Sequence, residues 1–155
     1  MHCEGSSVAM SSFDTDSFQR IWHIVSNLND STELASYFKT GLVGIDIKAL
    51  INRLNPLHRD CNSLLHECKS GFVIQVLLNE GIDINLRNKV GQTALQLACQ
   101  KGYIDFVRLY IKQGADVNMA CNKGNTPLHE ACIGGFVKIV KLLIEAKADT
   151  NLVNE

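Results

Sequence analysis

Four potential zinc ligands lie close together in the sequence, namely His58, Cys61, His66 and Cys68. Zinc prefers thiolate and imidazole ligands, but a structural site needs four of them to converge in a tetrahedron. Two of the four have another explanation, because His66 and Cys68 recur at positions of an internal repeat where packing residues stand. We therefore favour a packing role for these side chains, and we predict no metal site and no cofactor.

Catalytic motifs are incomplete in this sequence. The tripeptide His-Arg-Asp at 58–60 matches the start of a kinase catalytic loop, but the other parts of that motif do not accompany it. The six cysteines and five histidines could supply a nucleophile and a base. However, Cys99 and Cys132 recur at one repeat position, which indicates a structural role. Cys121 is expected to be the most exposed thiol, since it falls in a loop between repeats. We predict no catalytic residues and a protein that is not an enzyme.

Charge and hydropathy exclude several classes of partner. The sequence has 15 basic and 16 acidic residues scattered without a block of like charge, and its net charge is −1. A nucleic-acid binder needs a basic face that displaces counterions from phosphates, so no nucleic acid is expected. No apolar run approaches the ~20 residues of a membrane helix, and the first residues lack a secretory pattern. Because buried free cysteines suit a reducing compartment, we expect an intracellular location, in the cytoplasm or the nucleus.

Two segments of the sequence superpose without a gap at a spacing of 33 residues. This spacing relates Thr93 to Thr126, Leu95 to Leu128, Ala98 to Ala131, Gly102 to Gly135 and Asn118 to Asn151. A third copy lies upstream and is shorter, because His66 and Gln96 are only 30 positions apart. We expect Gly71 in the turn between its two helices, with one residue lost before Gly71 and two lost within the second helix. A register kept at so many positions indicates a repeat protein.

Each copy has the pattern of helix, turn, helix and loop. Thr126 is a good N-cap with proline after it, and Thr93 with Gln96 fits a capping box. Glycine separates the two helices of each pair. Apolar residues cover a wide arc of each second helix, as expected for a helix that packs between two repeats. Lys147 stands where the other copies have a glycine that favours the left-handed conformation.

These residues resemble the ankyrin repeat family. The family motif Thr-Pro-Leu-His appears at 126–129, with variants at 93–96 and 63–66, and the ending Gly-Ala-Asp-x-Asn appears at 114–118. The resemblance implies an all-α solenoid of helix-turn-helix-loop repeats. It also implies that His129 hydrogen-bonds between neighbouring repeats. The three repeats are expected at about 60–87, 88–120 and 121–153.

The sequence before the repeats reads differently. We predict a flexible N-terminus at 1–12 and a helical N-terminal cap at 13–59, whose last two helices fit a degenerate repeat. The cap helices are expected at 16–28, 34–39 and 46–54. The last repeat still has an apolar second helix, where a terminal repeat normally turns polar. Either the natural protein continues beyond Glu155, which we favour, or a neighbouring chain covers this end.

In ankyrin proteins, partners usually dock on the concave side, at the loop tips and at the exposed edges of the first helices. Transferred to this sequence, the predicted partner-binding residues are Lys89, Val90, Gln92, Gln100, Lys101, Asn122, Lys123, Asn125 and Ile133. Each of them could instead be ordinary solvated surface, but loops on a rigid scaffold often carry function. The three lysines favour an acidic partner segment, and Ile133 is a candidate apolar anchor.

The predicted function is a protein–protein interaction module that binds an extended segment or a folded domain of another protein. No small-molecule substrate is expected. The alternative is the targeting or substrate-recruiting portion of a larger enzyme or ubiquitin-ligase subunit, whose catalytic part lies outside this chain. A repeat fold of this kind accommodates many partners, so the sequence pattern leaves both readings open.

Overall fold

The computed structural model describes residues 19–23, 32, 35, 36, 39, 52 and 62–155. The chain divides into two compact units, Met1–Asp83 and Ile84–Glu155. The helices with defined bounds in the described part of the chain are all α-helices, which agrees with the predicted all-α repeat fold. Residues 19–23 are helical, but most of the three predicted cap helices and the whole tail at 1–12 lie outside the described residues. The cap and the domain boundaries therefore stay predictions.

The first unit contains the helices α1 (Leu64–Glu67) and α2 (Gly71–Asn79). Asn52 holds the loop that follows α2, since its Nδ2 donates to the Gly81 carbonyl at 3.2 Å and its Oδ1 accepts from the Asp83 N–H at 2.5 Å. The buried apolar side chains of this unit include Ile21, Leu64, Leu65, Val73, Ile74, Leu77 and Ile82.

The shortened copy has lost its residues in a different place from the one expected. Its second helix, α2, has nine residues, but its first helix, α1, has only four. The deletion therefore falls in the first helix and the turn after it, and the expectation of a trimmed second helix was wrong. Gly71 is correspondingly the first residue of α2 and not a turn residue.

The second unit contains the helices α3 (Ala94–Lys101), α4 (Ile104–Lys112), α5 (Pro127–Ile133) and α6 (Val137–Glu145). The first helices of the two pairs, α3 and α5, pack against each other, and α4 packs against α6. Each second helix also packs on the first helix of its own pair. The shared core includes Leu95, Val107, Tyr110, Ile139 and Leu143, which are almost fully buried. The two pairs thus stack and bury one core together, as repeats do.

The predicted capping residues begin the first helix of each pair in the second unit, α3 and α5. The Gln96 N–H donates to Thr93 Oγ1 at 3.3 Å, and the Thr93 N–H donates to Gln96 Oε1 at 2.9 Å. In the next repeat the Thr126 N–H donates to His129 Nδ1 at 3.1 Å, and Pro127 occupies the first helical position. Each capping box satisfies backbone donors that a helix start would otherwise leave unpaired.

Two residues show how the turns depend on the left-handed backbone. Gly102 has a φ of 75°, and a Cβ added there would lie 2.5 Å from Phe136 Cε1, so both the conformation and the space favour glycine. Lys147 has a φ of 64°, as its position in the repeat predicts. A lysine in this conformation costs roughly 1–2 kcal/mol.

The second helices differ in how much of their apolar arc they bury. Val107 and Tyr110 of α4 are buried, whereas Val137 and Ile144 of α6 are exposed. None of the helices in the described ranges has both the length and the apolar character that crossing a bilayer requires.

Candidate functional site

The loop tips that carry predicted binding residues are joined by hydrogen bonds. The Asn122 N–H donates to the Val90 carbonyl at 3.0 Å, and Asn122 Nδ2 donates to the Lys89 carbonyl at 3.1 Å. Asn88 fixes the first tip, because its Oδ1 accepts from the N–H groups of Val90 and Gln92 at 3.1 and 2.9 Å. Neighbouring tips therefore form one braced edge and not two independent loops.

Arg87 braces the same edge from the side. Its Nε donates to the Gly91 carbonyl at 3.0 Å, and one of its terminal nitrogens donates to the Ala120 carbonyl at 2.9 Å. The sequence did not indicate this residue, because one arginine in a loop has no distinctive spacing. Its fixed fork of donors spans two loops that are 33 residues apart in the chain.

An open groove with a cavity volume of about 470 Å³ lies along this edge. It is lined by Val90, Gln92, Gln100, Cys121, Asn122, Lys123, Asn125, Glu130 and Ile133. The structure thus brings together the predicted binding residues except Lys89 and Lys101, which are exposed but do not line the groove. Ile133 is 71% exposed and Val90 is 43% exposed, so the groove presents apolar surface to solvent.

Glu130 is a groove residue that sequence reasoning missed. It is only 5% exposed, yet it lines the open groove. Asn125 Nδ2 donates to its Oε1 at 3.1 Å, and Gln100 Nε2 donates to its Oε2 at 3.3 Å. Within the described parts of the chain, no basic side chain forms an ion pair with this carboxylate. Its position in the repeat could have indicated it, because Glu130 directly follows His129 on α5, a helix that borders the groove.

Among the described cysteines, Cys132 is exposed and Cys121 is buried, so the expectation that Cys121 is the most exposed thiol was wrong. Cys121 begins a tight turn in which its N–H donates to the Asn125 carbonyl at 2.8 Å. Because the turn closes on itself, the side chain of Cys121 is buried although it belongs to a loop. The packing role expected at the recurring cysteine position therefore holds for Cys99 but not for Cys132.

Cys99 lacks the properties of a catalytic nucleophile. The pKa of this thiol is raised to about 12, mainly by burial and to a smaller extent by the nearby negative charge of Glu130. The thiolate is the reactive form of cysteine, so Cys99 stays protonated and inert near neutral pH.

Only two of the four candidate zinc ligands, His66 and Cys68, lie within the described residues. His66 lies in the capping box of α1, where its Nδ1 accepts from the Ser63 N–H at 3.1 Å. Cys68 is buried, and burial together with the charge of Glu67 raises the pKa of its thiol far above the usual range. The described residues contain no cluster of three metal-ligating side chains, and His58 and Cys61 lie outside them.

Gln96, at the repeat position equivalent to His129, makes a hydrogen bond between repeats. Gln96 Nε2 donates to the Asn125 carbonyl of the following repeat at 2.6 Å. His129 accepts the Thr126 N–H with its Nδ1, so the bond between repeats that is expected of its other ring nitrogen stays a prediction. The fourth position of the Thr-Pro-Leu-His motif therefore joins neighbouring repeats, and in the first helix pair of this unit Gln96 occupies it.

The stacked helix pairs, the braced loop tips and the groove beside them define a helical repeat protein with a preformed surface. The family model for ankyrin repeats matches three copies over residues 64–154. The chain therefore belongs to the ankyrin repeat family. Repeats of this family generally mediate protein–protein interactions.

Several curated proteins are similar to short stretches of the chain. A probable E3 ubiquitin-protein ligase of Oryza sativa, XBOS32, is 43% identical over 56 residues, which is 36% of this chain and 10% of the relative. The E3 ubiquitin-protein ligase XBAT32 of Arabidopsis thaliana is 46% identical over 50 residues, or 32% of this chain and 9% of the relative. Ankyrin repeat domain-containing protein 63 of Homo sapiens is 45% identical over 38 residues, or 24% and 10%. The chain spans about a tenth of the length of these relatives.

Proposed function

We propose that this protein binds a segment of another protein in the groove along the loop edge. The observation that carries the proposal is the convergence of predicted binding residues, since all but Lys89 and Lys101 line one groove. A surface assembled from two neighbouring repeats is what a rigid repeat scaffold offers to a partner.

The groove has the physical features that favour binding. Exposed apolar side chains such as Ile133 stabilise a complex when a partner removes them from water, at about 25 cal/mol per Å². The hydrogen bonds that hold Asn122 to the neighbouring tip reduce the entropy lost on binding, because the loops are already ordered. We propose binding without a covalent step. The free thiols of the described cysteines support a reducing, cytoplasmic location.

A double variant of the groove tests the proposal. Replacing Val90 and Ile133 with glutamine removes the two exposed apolar side chains of the groove and leaves its charge unchanged. The matched control replaces Val137 and Ile144 with glutamine, an exposed apolar pair that does not line the groove. Affinity capture followed by mass spectrometry should recover the same partners with the wild type and the control, and lose them with the groove variant. Equal recovery by the two variants, with native circular dichroism in both, would contradict the proposal.

A second candidate is recruitment of substrates for ubiquitin ligation. It is supported by the similarity to two plant proteins named as E3 ubiquitin-protein ligases, although that similarity is limited to at most 56 residues. On this candidate, a protein captured by the groove becomes conjugated to ubiquitin in cells that express the wild-type chain. The groove variant should then reduce the conjugation. Unchanged conjugation alongside lost capture would leave binding alone as the function.

A further inference from the structure

The carboxylate of Glu130 is buried, and none of the described basic side chains pairs with it. Among the described residues, only the neutral amides of Asn125 and Gln100 donate to its two oxygens. Removing a carboxylate from water costs free energy, and hydrogen bonds from neutral amides offset that cost only in part. A cation brought into the groove by a partner would therefore be strongly favoured at this point.

The remaining hydrogen-bonding capacity of Glu130 suits a guanidinium group. Each carboxylate oxygen can accept about two hydrogen bonds, and each oxygen of Glu130 accepts one in the structure. One acceptor site is thus left on each oxygen. A guanidinium presents two parallel N–H groups that match two carboxylate oxygens, whereas an ammonium acts as a point charge.

Ile133 lies one helical turn after Glu130 and also lines the groove. Side chains three positions apart on a helix are neighbours, about 5–6 Å apart at their Cβ atoms. In an extended segment, alternate side chains point to the same face and are about 6.5 Å apart. The two groove residues therefore match a segment in which an arginine and an aliphatic residue are separated by one residue.

The charge of the groove argues against the acidic partner that the lysines favoured in the sequence. Lys123 is the only one of the three lysines that lines the groove, and it is exposed to water, where its charge is screened. The charge of Glu130 is buried and therefore less screened. An acidic side chain placed over Glu130 would meet a like charge.

We propose that the groove binds a partner segment of the form arginine, any residue, aliphatic residue. The guanidinium pairs with Glu130, and the aliphatic side chain packs on Ile133. This inference rests on the proposed function and adds the chemistry of the partner to it.

A random peptide library displayed on phage is the probe. Peptides of about twelve residues, long enough to cross the groove in an extended form, are selected against the full chain. The enriched peptides are synthesised, and their dissociation constants are measured by fluorescence anisotropy. We expect enrichment of the arginine and aliphatic pattern, and a loss of affinity of about tenfold or more when the peptide arginine becomes alanine.

Variants of the chain link the arginine to Glu130. Glu130→Gln keeps the shape of the side chain and removes its charge, and should weaken binding about tenfold or more. Replacing the peptide arginine should then have little further effect, as expected for two groups that interact directly. Glu145→Gln is the matched control, because Glu145 is exposed and does not line the groove. It should leave the affinity unchanged.

A second variant tests the same contact without changing the buried residue Glu130 itself. Gln100→Arg changes an exposed residue whose side chain already reaches Glu130, so it supplies an internal guanidinium without disturbing the core. It should compete with the peptide and weaken binding to a similar extent. Circular dichroism and urea unfolding confirm that each variant is folded.

The outcomes separate the inference from the proposed function. The inference would be overturned if the selected peptides bind through Ile133 but lack arginine or carry acidic residues in its place. It would also be overturned if their affinity is the same for Glu130→Gln as for the wild type. In each case the proposed function would still stand. No enrichment on the wild type over the Val90→Gln, Ile133→Gln variant would overturn both. The wild-type chain could also self-associate and lose that association on Glu130→Gln. This result would assign the groove to a second copy of the chain and would overturn the inference.

Discussion

Replacing Gln96 with alanine is expected to destabilise the protein strongly, because one side chain both caps α3 and joins two repeats. Its Oε1 accepts from the Thr93 N–H at 2.9 Å, and its Nε2 donates to the Asn125 carbonyl of the next repeat at 2.6 Å. Both Gln96 and Thr93 are almost fully buried, so water cannot replace the lost partner of the Thr93 N–H without opening the structure.

The size of the effect follows from these two bonds. A buried donor left unpaired costs about 1–3 kcal/mol, and the loss of the bond to the partly exposed Asn125 carbonyl adds about 1 kcal/mol. We therefore expect Gln96→Ala to lower the free energy of unfolding by about 2–4 kcal/mol. With a urea m-value of about 2 kcal/mol per M, the midpoint of unfolding falls by about 1–2 M.

Gln96→His is the informative control. At the same repeat position His129 accepts the Thr126 N–H through Nδ1 at 3.1 Å, so histidine can restore the capping box, and its Nε2–H can donate to Asn125. Urea unfolding followed by circular dichroism should show that histidine recovers most of the lost stability. The reasoning would be refuted if alanine left the midpoint unchanged, or if histidine were as damaging as alanine.

Three further predictions concern local features. Lys147→Gly should raise the unfolding free energy in urea by about 1 kcal/mol by relieving the left-handed backbone, whereas Lys147→Ala should bring no gain. Thr126→Ala should cost about 1 kcal/mol through the lost cap, and Thr126→Ser should cost much less. Iodoacetamide at neutral pH, read by peptide mapping, should label exposed Cys132 quickly and Cys99 hardly at all. Because burial both shields Cys99 from the reagent and raises the pKa of its thiol to about 12, its labelling should stay low between about pH 7 and 9. Labelling of both cysteines at equal rates would contradict this.

Much of the repeat fold was predictable from the sequence, because it is encoded locally. A threonine followed three residues later by glutamine specifies a capping box, and glycine at a fixed repeat position specifies a left-handed turn. The conformation of Lys147 was predictable for the same reason, since the repeat register imposed it on a residue that does not favour it. Exposure of Ile133 followed from its place on the edge of a first helix.

Other features depend on tertiary packing and were not predictable in this way. The burial of Cys121 results from a turn that closes on itself, which residue type alone does not specify. Glu130 has the appearance of an ordinary polar helix residue, and only the placement of Asn125 and Gln100 around it reveals a buried carboxylate beside a groove. The site of the deletion in the first copy was ambiguous, because both helices could be shortened without changing the flanking motifs.

The most direct test of binding in the groove is a nuclear magnetic resonance titration of the labelled chain with a peptide selected by the wild type. We expect the amide shifts to concentrate at Val90, Asn122 and Ile133, on the loop edge and on α5. Shifts that instead concentrate at Arg108 and Lys141, exposed on the second helices, with the groove unaffected, would contradict binding in the groove.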